Sequence, residues 1–172
     1  MTHIIYFHGL DSWLSDDKKE VLRQFGEVTA PKFNYREPEV LVGIHNLFDD
    51  IDLQSTVLIG SSFGGYLANI NSLAYDIPCL LFNPALAFRS VDLSMEEPFD
   101  TNIQSPSYVV LGRLDDIVKC EDNLKFIDEH FKGPTQIAIE ESMGHRVPLQ
   151  LFKKHVEQFF VKTLNGELKS TE

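Results

Sequence analysis

The stretch TVLIGSSFGGYLA, residues 56–68, decides how this chain reads. Its first part, TVLIG, is a short continuous apolar run, the pattern of a strand buried on both faces. From FGGYLA onward the pattern turns helical. Between the two lie paired serines and three glycines, residues that weaken the interior of a strand or a helix. A junction that demands small residues and a hydroxyl suits a serine held on a sharp turn, placed to attack a substrate.

Within the stretch, Gly60-Ser61-Ser62-Phe63-Gly64 matches G-x-S-x-G with Ser62 in the central place. A strand-to-helix turn this tight forces the serine into a strained conformation and leaves no room for bulk two residues before or after it. Ser61 is unsuited to the role, because its flanks two residues away are Ile59 and Phe63. The helix that follows aims free N–H groups and a positive dipole end at the site. The competing reading is a glycine-rich turn with a serine that only caps the helix. The position between a β-type run and a helical one favours the nucleophile.

Outward from this junction, short apolar runs alternate with helical patterns. IIYF (4–7), EVTA (27–30), IPCLLF (77–82), SYVVLG (107–112) and TQIAIE (135–140) read as further strands. Helical spacing is predicted for 15–25 with Ser15 as cap, for 38–51 through Leu41, Ile44, Leu47, Phe48 and Ile51, and for 121–131. A C-terminal helix is predicted to start near Pro148 and to carry Phe152, Val156, Phe159 and Phe160 inward. Apolar strands separated by helices imply an α/β fold, a parallel sheet with helices on both faces. Residues 1–164 are expected to form one domain, and the polar tail 165–172 is expected to be disordered.

A serine hydroxyl needs a base, and the base an orienting acid. Three histidines follow Ser62. His130 and His155 fall within helical stretches and read as solvated. His145 stands in ESMGHRVP (141–148), a loop after the last strand, where Gly144 gives it room. For the acid, LGRLDDIV (111–118) follows a strand and supplies Asp115 and Asp116. The spacing G-x-x-D from Gly112 selects Asp115, with Glu140 and Glu141 as outside candidates. An acyl-transfer site also needs oxyanion donors. These are expected from the backbone N–H of Phe63, next to the serine, and of Leu10, after Gly9. His8 reads as a brace for that loop rather than a base.

Composition bounds the partners. Across 172 residues, 15 Lys and Arg face 26 Asp and Glu, a net charge of −11. Such a surface repels phosphate backbones, which argues against nucleic acid. Two cysteines, Cys79 and Cys120, suit a reducing compartment and read as buried filler and a helix-start residue. The opening MTHIIYFHG shows no signal-peptide pattern, and no run approaches a membrane span. A cytoplasmic location without membrane contact is therefore expected. No two histidines sit at ligand spacing with a carboxylate, so no metal is expected. Oligomeric state leaves no trace in the sequence.

Taken together, YFHGLDSWLSDDKK (6–19), GSSFGGYLA (60–68), FNPAL (82–86), GRLDDIV (112–118) and GHR (144–146) resemble the small YqiA-like esterases of the α/β-hydrolase superfamily. The resemblance runs to about residue 160. It implies a compact α/β-hydrolase sheet without a large cap domain, and a cofactor-free hydrolase of carboxylic esters or thioesters. By motif, it implies Ser62, Asp115 and His145 as triad and Leu10 and Phe63 as oxyanion donors. Leu10-Asp11 stands where the family pattern has Phe-Asn, Asp116 where it has Glu, and AFRS after the NPA motif also departs, all of which bear on substrate shape.

The expected activity is thus hydrolysis of a small-molecule ester or thioester through an acyl-enzyme on Ser62. The alternative is a non-catalytic binding or scaffolding protein on the same fold. Segment 84–106 is the one long irregular connection. It is expected to wall the substrate pocket with Phe88, Met95 and Phe99, or else to pack these three onto the domain.

Overall fold

The computed structural model describes residues 1–93 and 104–164. Within them run the strands β1 (His3–Phe7), β2 (Glu27–Thr29), β3 (Thr56–Ser61), β4 (Cys79–Phe82), β5 (Ser107–Gly112) and β6 (Thr135–Glu140). They form one sheet in the order β2-β1-β3-β4-β5-β6, and every neighbouring pair is parallel. The helices are α1 (Asp16–Arg23), α2 (Val40–His45), α3 (Phe63–Tyr75), α4 (Cys120–His130) and α5 (Leu149–Leu164).

The strands divide their side chains between two apolar clusters, as a period of two requires. Ile5, Phe7, Leu58, Leu81, Val109 and Leu111 meet α2, α3 and α4 on one face. Ile4, Tyr6, Val57, Ile59, Leu80, Phe82 and Val110 meet α1 and α5 on the other. Burial on both faces is why these strands carry near-continuous apolar runs. The chain passes from β1 to β2 on one side and then to β3 on the other. A reversal of this kind opens a crevice at the carboxyl ends of β1 and β3. Ser62 and the Gly9-Leu10 loop lie at those two ends.

The expected fold class stands, with three corrections. The helix read over 38–51 stops at His45; Leu47 and Phe48 donate instead to Ile44 and His45 at 3.2 and 2.9 Å, a tightened i→i−3 turn. The apolar face survives, since Val40, Ile44 and Phe48 are still buried. Ser15 occupies the N-cap position of α1, but its hydroxyl goes to the Asp17 carboxylate rather than to a backbone N–H. His155, read as solvated, is 1% exposed on α5, because Glu140 and Tyr108 supply the polar partners that let an imidazole enter the core.

Candidate active site

Ser62 follows β3 directly and precedes the first residue of α3 with φ 56° and ψ −122°. This left-handed conformation is unusual for a residue with a side chain and is held here by crowding. A Cβ on Gly60 would stand 2.1 Å from the Gly64 carbonyl oxygen, and one on Gly64 would stand 2.1 Å from that of Phe7. Strand and helix can meet this closely only with glycine at both positions. Ser62 donates its N–H to Phe82 O (2.9 Å) and accepts at its own carbonyl from Ala85 N–H (2.9 Å). Its hydroxyl makes no cap bond to α3.

The hydroxyl faces His145 instead, 3.1 Å from Nε2. On the far side of the ring, Nδ1 stands 2.8 Å from Asp115 Oδ2. An ionised carboxylate only accepts, so Nδ1 carries the proton and Nε2 is left to accept from Ser62. Asp115 is itself fixed: its side chain is fully buried, and Oδ1 accepts the N–H groups of Ile117 (2.9 Å) and Val118 (2.8 Å). Asp116 is exposed. Glu140 pairs with Lys154 and His155, and Glu141 with Arg113. The fold thus brings together Ser62, His145 and Asp115 from the ends of β3, β6 and β5, and leaves the outside candidates elsewhere.

Phe63 opens α3, so its N–H lacks a helical acceptor. Across from it, the loop after β1 approaches until a Cβ on Gly9 would lie 3.3 Å from Ser62 Cβ. Leu10 follows at that point. His8 is 3% exposed and braces the loop. Nδ1 donates to Gly9 O (2.7 Å), and Nε2 accepts from Phe33 N–H (2.9 Å). The Nε2 bond requires the neutral ring, and burial, opposed by the Gly9 bond, holds the His8 pKa below its ordinary value. Tyr35 donates to His8 O at 3.0 Å from beneath.

A cleft of about 290 Å³ opens beside the loop, lined by Leu10, Asp11, Phe33, Asn34, Tyr35 and Arg36. A neighbouring one of about 440 Å³ lies between residues 35–41 and Ser90–Leu93. Neither is lined by Ser62 or His145. Phe88 is 78% exposed and lines neither cleft, while Met95 and Phe99 fall outside the described residues. Among the described residues, no group of three His, Cys, Asp or Glu side chains is placed to hold a metal ion, and no helix is long and apolar enough to cross a membrane. Cys79 and Cys120 are both buried. Asn83 was the residue whose position gave no signal of a role: it sits in FNPAL as one polar side chain after a strand, and only the fold reveals its neighbours.

A parallel sheet in this order, with Ser62 on the turn from strand to helix, is an α/β-hydrolase fold without a cap domain among the described residues. The chain belongs to the family described as "Uncharacterised protein family (UPF0227)", the YqiA-like family its motifs resemble, whose family model matches residues 3–125. That span includes Ser62 and Asp115 and ends before His145. No curated protein matches the chain. Among solved structures, SOBER1 from Arabidopsis thaliana is 17% identical with a TM-score of 0.69, over 95% of this chain and 99% of that one. Est1E from Butyrivibrio proteoclasticus with bound ferulic acid is 13% identical with a TM-score of 0.71, over 96% and 90%. The esterase PF2001 of Pyrococcus furiosus is 18% identical with a TM-score of 0.69, over 94% and 82%. At these identities the likeness is one of fold.

Proposed function

We propose that this protein is a serine hydrolase of small carboxylic esters or thioesters, working through an acyl-enzyme on Ser62. One observation carries the reading: Ser62 Oγ, His145 and Asp115 form a continuous hydrogen-bonded line of 3.1 and 2.8 Å, starting from a strained turn. His145 Nε2 takes the proton as Ser62 Oγ bonds to the substrate carbonyl carbon. The carbonyl oxygen gains negative charge and is met by the N–H groups of Phe63 and Leu10. As the bond to the leaving group breaks, His145 returns the proton to the departing alcohol or thiol. Water then attacks the acyl-enzyme, again losing its proton to Nε2, which passes it to Ser62 Oγ as the bond to the acyl carbon breaks and the acid product leaves. Asp115 holds the imidazole in the tautomer that each step uses.

The testing experiment is labelling with a fluorophosphonate, which phosphonylates an activated serine. Wild-type protein is expected to label at Ser62 and to hydrolyse nitrophenyl acetate. Ser62→Ala is expected to do neither. A wild-type protein that resists the probe while folded is a binding module on a hydrolase fold.

A further inference from the structure

Immediately after β4, Asn83 adopts φ 40°, a left-handed conformation that asparagine tolerates better than most residues. It is 1% exposed, and every hydrogen of its carboxamide is used. Oδ1 accepts the N–H of Gly112 at 2.7 Å, at the end of β5. Nδ2 donates to the carbonyl oxygens of Gly144 and His145, both at 3.0 Å. Asp115 lies three residues beyond Gly112, with its N–H on Gly112 O at 3.2 Å. One amide therefore spans from the turn that carries the acid to the loop that carries the base.

The chain on either side of Asn83 holds the third member. Phe82 O accepts the Ser62 N–H, and Ala85 N–H donates to Ser62 O. Residues 82–85 thus touch all three loops, Ser62 through the backbone and the other two through the Asn83 side chain. Other bonds join the acid and base loops directly, such as Leu114 N–H to Met143 O at 3.0 Å. Asn83 is the side chain that ties both of them to the strand gripping Ser62.

We propose that Asn83 is a positioning residue that sets the imidazole of His145 in register with Ser62, an inference that rests on the hydrolase reading for its kinetic consequence only. The carboxamide is specific to this task, since it must present two N–H donors on one atom and an acceptor on the other. In Asn83→Asp the Gly112 bond persists, but an oxygen replaces Nδ2 against two carbonyl oxygens. The His145 loop is pushed away while its composition is unchanged. In Asn83→Gly the positive φ is kept without strain, and all three side-chain bonds are lost.

The test combines kinetics with proton NMR of the full chain. Rates are taken per active site titrated with fluorophosphonate, so that loss of folded protein is not counted. Misplacement of a reacting group by about 1 Å costs about 100-fold. Asn83→Asp and Asn83→Gly are expected to lower kcat on that order with KM within about twofold, and to shift or abolish the low-field resonance of the His145 Nδ1–H. The control is Asn71→Ala, which deletes a buried bond from Asn71 Nδ2 to Leu67 O (2.8 Å) inside α3. It is expected to lower Tm while preserving both kcat and the resonance. Asn83 variants that keep wild-type kcat per site and the wild-type resonance overturn the proposal. So does an equal loss of kcat per site in Asn71→Ala. If the wild type proves inert to esters and probe, the hydrolase reading fails alone. The resonance then decides the positioning role: loss in both Asn83 variants supports it, and persistence overturns it.

Discussion

Ser62 sits in a conformation that costs about 1–3 kcal/mol for a residue with a side chain, and its neighbours make escape from it costly. Relaxing the turn pulls Gly60 and Gly64 out of contacts that no Cβ fits. Gly60→Ala is therefore expected to lose folded protein rather than merely slow a reaction, which a melting curve reads directly. The two serines separate cleanly. Ser61 is the last residue of β3, whereas the Ser62 hydroxyl faces His145. Ser62→Ala is expected to abolish nitrophenyl ester hydrolysis, and Ser61→Ala to retain much of it; equal losses in kcat would move the nucleophile. A similar contrast holds for the acids. Loss of the group that orients a triad histidine has cost about 10⁴-fold in kcat in a well-studied protease. Asp115→Asn is expected to fall on that order and the exposed Asp116→Asn to change little, with kcat measured for both on one ester.

At the scale of elements, β5, β6 and α5 are joined by a polar cluster outside the site. His155 Nδ1 meets the Tyr108 hydroxyl at 2.8 Å, and Nε2 meets Glu140 Oε1 at 2.8 Å. Tyr108 donates to Gln158 Oε1, and Lys154 pairs with the same Glu140 oxygen at 2.6 Å. Burial, opposed by Glu140, holds the His155 pKa below its ordinary 6.5, and His8 is shifted the same way by burial. The unfolded chain then binds more protons than the folded one in the interval below pH 6.5, so stability falls as pH drops through it. Glu140 is lowered chiefly by its bond to Lys154, and its contribution is lost only further down, as pH falls below the ordinary carboxylate range. Thermal melts from pH 7.5 to 5 are expected to show a falling Tm, with a shallower slope in His155→Gln. An unchanged slope in that variant would place the proton uptake elsewhere.

For the molecule as a whole, the reversal of strand order between β1 and β3 sets where the crevice at the strand ends lies. Residues from four strand ends meet there, and no cap domain stands over them among the described residues. Each enclosed methylene of an acyl chain adds about 0.8 kcal/mol. With no cap domain among the described residues, the site is expected to stop rewarding added carbons early, and kcat/KM across nitrophenyl esters of rising length checks it. Steady gains into long chains would require a wall that the described residues do not provide.

Much of this was legible in one dimension. Apolar runs, glycine spacing and loop position are local properties, so the strands, the parallel sheet and the strand-to-helix turn at Ser62 follow from residues near each other in the chain. The limits have physical causes too. Apolar spacing continues past His45 and cannot tell a helix from a tightened turn that buries the same face. A histidine at a helical position looks solvated until a neighbouring strand brings Glu140 and Tyr108 against it. Asn83 is the strongest case: its partners lie 29, 61 and 62 residues away, and nothing in FNPAL announces them. Local sequence determined where the strands end and which side chains follow them. Only the tertiary structure decided their distances, because hydrogen bonds between loops depend on how far apart parallel strands set their ends.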